Sequence, residues 1–62
     1  MPTYRCYFLN KADAIVAVEE IDCAGEEDAR RAALQLLRER PGYAVELWDR
    51  ARKILRQMRE PA

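Results

Sequence analysis

The apolar positions of this chain change period as one reads along it. Residues 4–9, YRCYFL, are rich in aromatics, and residues 14–21, AIVAVEEI, are rich in β-branched side chains. Both stretches have the composition of strands, because such side chains pack well on a pleated, half-buried surface. The polar link Asn10-Lys11-Ala12-Asp13 is short enough to join them as a hairpin, with strands over about 3–9 and 14–21. Alternation then sets Tyr4, Cys6 and Phe8 on one face of the first strand and Arg5, Tyr7 and Leu9 on the other. Neither set is wholly polar, so the pattern leaves open which face is buried.

In DCAGEEDARRAALQLLRERPG the period lengthens. Ala29, Ala33, Leu36 and Leu37 fall at i, i+4, i+7 and i+8, a single stripe on a helix over about 25–40. Asp22 or a neighbouring small residue is placed to cap it; Glu26, Glu27 and Asp28 occupy its first turn and Arg38 and Arg40 its last. That charge order suits the helix macrodipole. Pro41 cannot continue the hydrogen-bond ladder and Gly42 accepts a left-handed exit, so the helix is expected to stop there.

The stretch AVELWDRARKIL, residues 44–55, has two incompatible readings. As a helix, Ala44, Trp48, Ala51, Leu55 and Met58 repeat at 4, 3, 4, 3, and Glu46–Arg50 and Asp49–Lys53 are acid-first i,i+4 pairs. As strands, Tyr43, Val45 and Leu47 alternate, and a turn at Asp49-Arg50 separates strands over about 43–48 and 51–57, with a tail at 58–62. The two differ in what they do for the rest of the chain. A ββαα order leaves a lone two-stranded hairpin, which is marginal as a sheet; ββαββ gives a four-stranded antiparallel sheet with one helix covering one face. The expected class is therefore α+β, a single small ββαββ domain, with ββαα as the alternative that the local signal supports.

The pieces YRCYFLN, EEIDCAGEEDARRAA and VELWDRARKI resemble a group of very short alphaproteobacterial proteins with the pattern Y-R-x-Y-F-L-D, an acidic-alanine helix, and V-E-V-W-D-G-A-R. The likeness covers most of the chain. Its motifs are structural, and it implies no catalytic activity. A glycine follows the Trp-Asp pair in that pattern, which suits a tight hairpin turn; here Arg50 stands in its place, and Asn10 stands where aspartate is usual.

At 62 residues, half of them hydrophobic, the chain has the composition of one globular domain. A domain near this size buries only about 60% of the surface its unfolded chain exposes, and burial offset by ordering entropy comes out near zero. Self-association as a homodimer is the expectation. The formal net charge is zero, but residues 1–28 carry two basic against seven acidic groups, a net of −5, and residues 29–62 carry nine against four, a net of +5. Part of that asymmetry is the helix serving its own ends. Cys6 and Cys23 are too few and too far apart in sequence for a disulfide framework, and reduced, half-buried core thiols are expected. The absence of a signal-like start and of any long apolar run leads to the expectation of a cytoplasmic protein without a membrane span.

Candidate chemistry is sparse. The chain contains no histidine and no serine, and Thr3, Cys6 and Cys23 are its only aliphatic hydroxyl or thiol nucleophiles. Without a histidine base the triad logic fails. Cys23, at the strand-to-helix junction, is the one residue offering thiol chemistry, opposed by the carboxylates beside it. Two cysteines cannot assemble a four-ligand zinc site within one chain, although a dimer offers four thiols; the Glu26-Glu27-Asp28 cluster lacks a calcium-loop spacing, and Gly25 and Gly42 begin no phosphate cradle. No metal, cofactor or enzymatic activity is expected. What remains is a surface. Arg50, Arg52, Lys53, Arg56 and Arg59 form a basic run close to Trp48, and Arg5 and Tyr7 join the same sheet face if the last strands pair beside the first. The candidate interaction surface is accordingly Tyr7, Trp48, Arg50, Arg52 and Arg56, with a second copy or another protein as partner. Single-stranded nucleic acid is the alternative occupant, disfavoured by a pI of about 6.2.

Overall fold

A computed structural model of the chain describes residues 2–40 and 42–59. The elements run β1 (Thr3–Leu9), β2 (Ile15–Asp22), α1 (Glu26–Glu39), β3 (Ala44–Asp49) and β4 (Arg52–Met58). The strands form one antiparallel sheet in the order β2-β1-β3-β4. The fold is thus ββαββ, and the helical reading of AVELWDRARKIL is set aside: of its 4-3 stripe, Ala44, Trp48 and Met58 lie on one sheet face, while Leu55, the partner of Leu47, lies on the other.

The sheet settles which face is covered. Tyr4, Cys6 and Phe8 on β1 and Val45 and Leu47 on β3 point at α1 and pack against Ala29, Ala33 and Leu37 from the helix. All of these are buried, Leu36 lies at the margin, and Ala17, Ile21, Ile54 and Leu55 close the sides. Alanine at positions 29 and 33 lets the helix backbone come close to the sheet while Phe8 fills the space between them. The largest fully buried side chains, Phe8, Leu47, Val45 and Cys6, all lie on the two inner strands.

The connections are built differently from what the residue types alone suggest. Asn10 closes the first hairpin: its side-chain oxygen accepts from the backbone N–H of Ala12 at 2.9 Å and of Ala14 at 3.1 Å, an Asx-type turn that carries Asp13 into positive φ of 64°. Asp22 does not cap the helix. It continues β2 and accepts from the Thr3 hydroxyl at 2.7 Å; Gly25 takes the cap position, and no side-chain hydrogen bond is made there. Nor is there a left-handed glycine exit. Arg40 ends the helix in extended backbone, its N–H donating to Leu36 O at 3.0 Å, and Gly42 has no positive φ; Pro41 lies outside the described residues. The strand–strand turn sits one residue later than expected, at Arg50-Ala51, because Asp49 still pairs with Arg52. Arg50 alone of that pair has positive φ, 57°, the first central position at which a type II′ turn favours glycine.

That last conformation is strained for arginine by roughly 1 kcal/mol. Arg50→Gly is therefore expected to raise stability by about 0.5–1 kcal/mol despite glycine's greater unfolded-state entropy. The check is a chemical-denaturation midpoint that moves upward with unchanged slope.

Candidate functional site

The uncovered face of the sheet carries the aromatic pair. Arg5 on β1 pairs with Trp48 on β3, and Tyr7 with Glu46, so Tyr7 and Trp48 are diagonal neighbours on the side away from α1. Their rings meet edge to face, 6.3 Å between centroids and 88° between planes, a favoured geometry for aromatic quadrupoles. Trp48 Nε1 donates to Glu46 at 3.1 Å, so the indole is fixed in place and only its apolar side remains to be offered. Both rings are half-buried. Around them on the same face stand Arg5 with Glu20 at 3.5 Å, and Arg56 bridging Glu46 at 3.4 Å and Asp13. The face is a mixture of aromatic, aliphatic and alternately charged groups.

The five residues expected to form one surface do not all gather there. Tyr7, Trp48 and Arg56 share the open face. Arg50 lies in the turn, exposed. Arg52 pairs with Asp49 and turns to the helix side, where its guanidinium binds Glu26 in the first turn of α1. A β-bulge causes the separation: Leu47 pairs with Leu55 but Trp48 with Lys53, so Ile54 is an extra residue and the facing of residues 52–53 is reversed relative to 55–58.

Most of the basic run is already engaged. Arg52 and Arg56 are held by carboxylates as described. The Arg59 guanidinium donates to the carbonyls of Leu37 and Arg40, groups that the end of a helix leaves without intrahelical partners. The tail expected at 58–62 starts later: Met58 is in β4, and Arg59, whose N–H also donates to Tyr43 O at 2.6 Å, ties the end of the sheet to the end of the helix. Residues 60–62 lie outside the described residues. Arg40, expected in the last helical turn, instead lies 5.3 Å above the Phe8 ring and pairs with Glu19. No local pattern in the chain signals these long-range uses of arginine, since they join residues 19 to 22 positions apart.

The thiols are poor nucleophiles here. Cys6 and Cys23 are free and buried within the core cluster, Cys6 completely rather than half. Burial, then Cys23 and Glu19, push the Cys6 thiol up to about 11; burial, then Asp28 and Asp22, also raise Cys23. Among the described residues no group of three or more His, Cys, Asp or Glu is gathered as metal ligands, and no helix is long and apolar enough to cross a membrane.

Because the Cys6 pKa is raised on folding, its contribution to stability is intact below the unfolded thiol value of 9.0 and is lost as pH rises toward about 11. The urea midpoint is expected to fall over that window, and Cys6→Val, which keeps an apolar side chain of similar size, is expected to flatten the fall. A pH dependence identical in the variant would assign the effect to another group.

Compared with known proteins, the chain matches no family model, no curated protein and no solved structure.

Proposed function

We infer that this protein is a non-enzymatic interaction module whose first partner is a second copy of itself. The observation that carries the reading is the distribution of exposed apolar surface. On β2, an outer strand of the sheet, Ile15, Val16 and Val18 are each more than half exposed, and Met58 on the opposite outer strand is nearly so. These are β-branched or long apolar residues on strand edges, adjoining a sheet face with no covering layer, the kind of surface that marks a partner site. Burying them against another copy adds to a core that one helix on one sheet face leaves small. A homodimer is the simplest assembly this favours.

Enzymatic chemistry has little support. Histidine and serine are absent from the chain, and both thiols are buried with raised pKa. Single-stranded nucleic acid remains the second reading, favoured by the Tyr7–Trp48 pair on an open sheet. It is weakened by Glu20 and Glu46 on the same face and by the internal partners of Arg52, Arg56 and Arg59.

Sedimentation velocity from low to high micromolar concentration tests the proposal. A rise in weight-average mass from about the 7.2 kDa of one chain toward twice that or more is expected; a constant monomer mass would overturn it. Binding of a labelled oligonucleotide that weakens steeply with salt would instead move the assignment to nucleic acid.

A further inference from the structure

The two outer strands are opposite in charge. β2 carries Glu19, Glu20 and Asp22 without a basic residue, and β4 carries Arg52, Lys53 and Arg56 without an acidic one. Since the order is β2-β1-β3-β4, the sheet has one acidic and one basic edge. We propose that a second copy docks its β2 edge antiparallel against β4, continuing the sheet from one molecule into the next; this rests on the self-association reading above and specifies its contact.

The hydrogen-bonding phase of each edge permits it. The β1–β2 ladder runs on to Cys23, whose N–H donates to Pro2 O at 3.2 Å. In an antiparallel pair, bonded and non-bonded positions alternate, so the odd-numbered residues 17, 19 and 21 face β1 and the main-chain groups of Val18, Glu20 and Asp22 face outward. At the other edge Arg59 N–H donates to Tyr43 O, in register with Val45–Gln57 and Leu47–Leu55. Gln57 and Leu55 are therefore bonded to β3, and Arg56 and Met58 present their N–H and C=O outward. The outward residues on both edges also point their side chains to the same, helix-free face. A continuous sheet thus keeps all helices on one side.

One register matches side chains as well. With Arg56 opposite Glu20, Met58 comes opposite Val18 and Leu55 opposite Ile21; beyond the bulge at Ile54, Lys53 comes opposite Asp22. Glu20 and Asp22 meet cations, Glu19 meets the neutral Gln57, and apolar residues meet apolar ones. A shift by two residues toward the β2 N-terminus sets Arg56 against Val18 and Leu55 against Glu19; a shift the other way sets Met58 against Glu20. Pairing β2 with β2, or β4 with β4, gathers like charge on one seam, which is destabilising across strands. The contact is heterologous, so a pair still offers one acidic and one basic edge, and assembly continues beyond two copies as concentration rises.

Amide hydrogen exchange by NMR, read alongside sedimentation of the same samples, tests the contact. Val18, Glu20, Arg56 and Met58 amides are expected to gain protection of tenfold or more between dilute and concentrated protein, while amides already inside the sheet change little. Asp22→Lys and Lys53→Glu, both on exposed residues, are each expected to weaken association about tenfold. An equimolar mixture restores it, because each altered edge meets its complement on the other variant. If association occurs while those four amides exchange at the dilute-sample rate, edge pairing is overturned and self-association through the Tyr7–Trp48 face stands. A monomer at every concentration overturns both. Should either variant fail to fold, the exchange measurement on the unaltered chain decides alone.

Discussion

The structure depends on one layer of apolar contact: the inner strands β1 and β3 laid against α1. Tyr4, Cys6, Phe8, Val45 and Leu47 on one side and Ala29, Ala33 and Leu37 on the other form most of the buried interior. A single helix covers about two strands' width, since helices pack some 10 Å across and strands lie about 4.8 Å apart. The residues that must be dry therefore sit on the two central strands, and the outer strands are left with intermediate or exposed positions. This constraint orders the sheet. β2 and β4, which carry most of the sheet's charged residues, occupy the edges where those charges stay solvated.

The arginines follow from the same limit. With so little apolar area, the chain secures the helix to the sheet with cations at its periphery. Arg52 joins β4 to the first turn of α1 through Glu26, Arg59 joins the end of β4 to the last carbonyls of the helix, and Arg40 reaches Glu19 on β2 while lying over Phe8. Each contact is partly exposed and individually modest, but together they tie both helix ends to three strands. Cations engaged in this way are less free to bind phosphates, which is the physical reason a basic run in the sequence does not translate into a basic groove. The helix-free face is left as alternating charge around a fixed aromatic pair, and the apolar exposure is displaced to the sheet edges.

Much of the architecture was legible before the fold was known, and the reasons are local. YRCYFL and AIVAVEEI are strands by composition, Asn10 through Asp13 is a turn by chemistry, and Ala29-Ala33-Leu37 is a helix stripe by period. The third and fourth strands were legible only by a global argument, since the spacing of apolar residues over 44–58 also fits a helical period although Leu55 and Met58 point to opposite sheet faces. Of the surface residues, Tyr7 and Trp48 fall on one face because period-2 alternation runs unbroken through β1 and β3; Arg52 leaves that face because an extra residue at Ile54 inverts the alternation.

What the sequence by itself determined is the set of elements and the chemistry the chain lacks: periodicity and turn residues act over a few positions, and a missing histidine or serine is missing in any fold. The tertiary structure decided which face is buried, which strands are central, where each arginine is bound and which outer edges carry opposite charge. Those are properties of pairings between residues far apart in the chain. They depend on strand order and register, which no local pattern encodes.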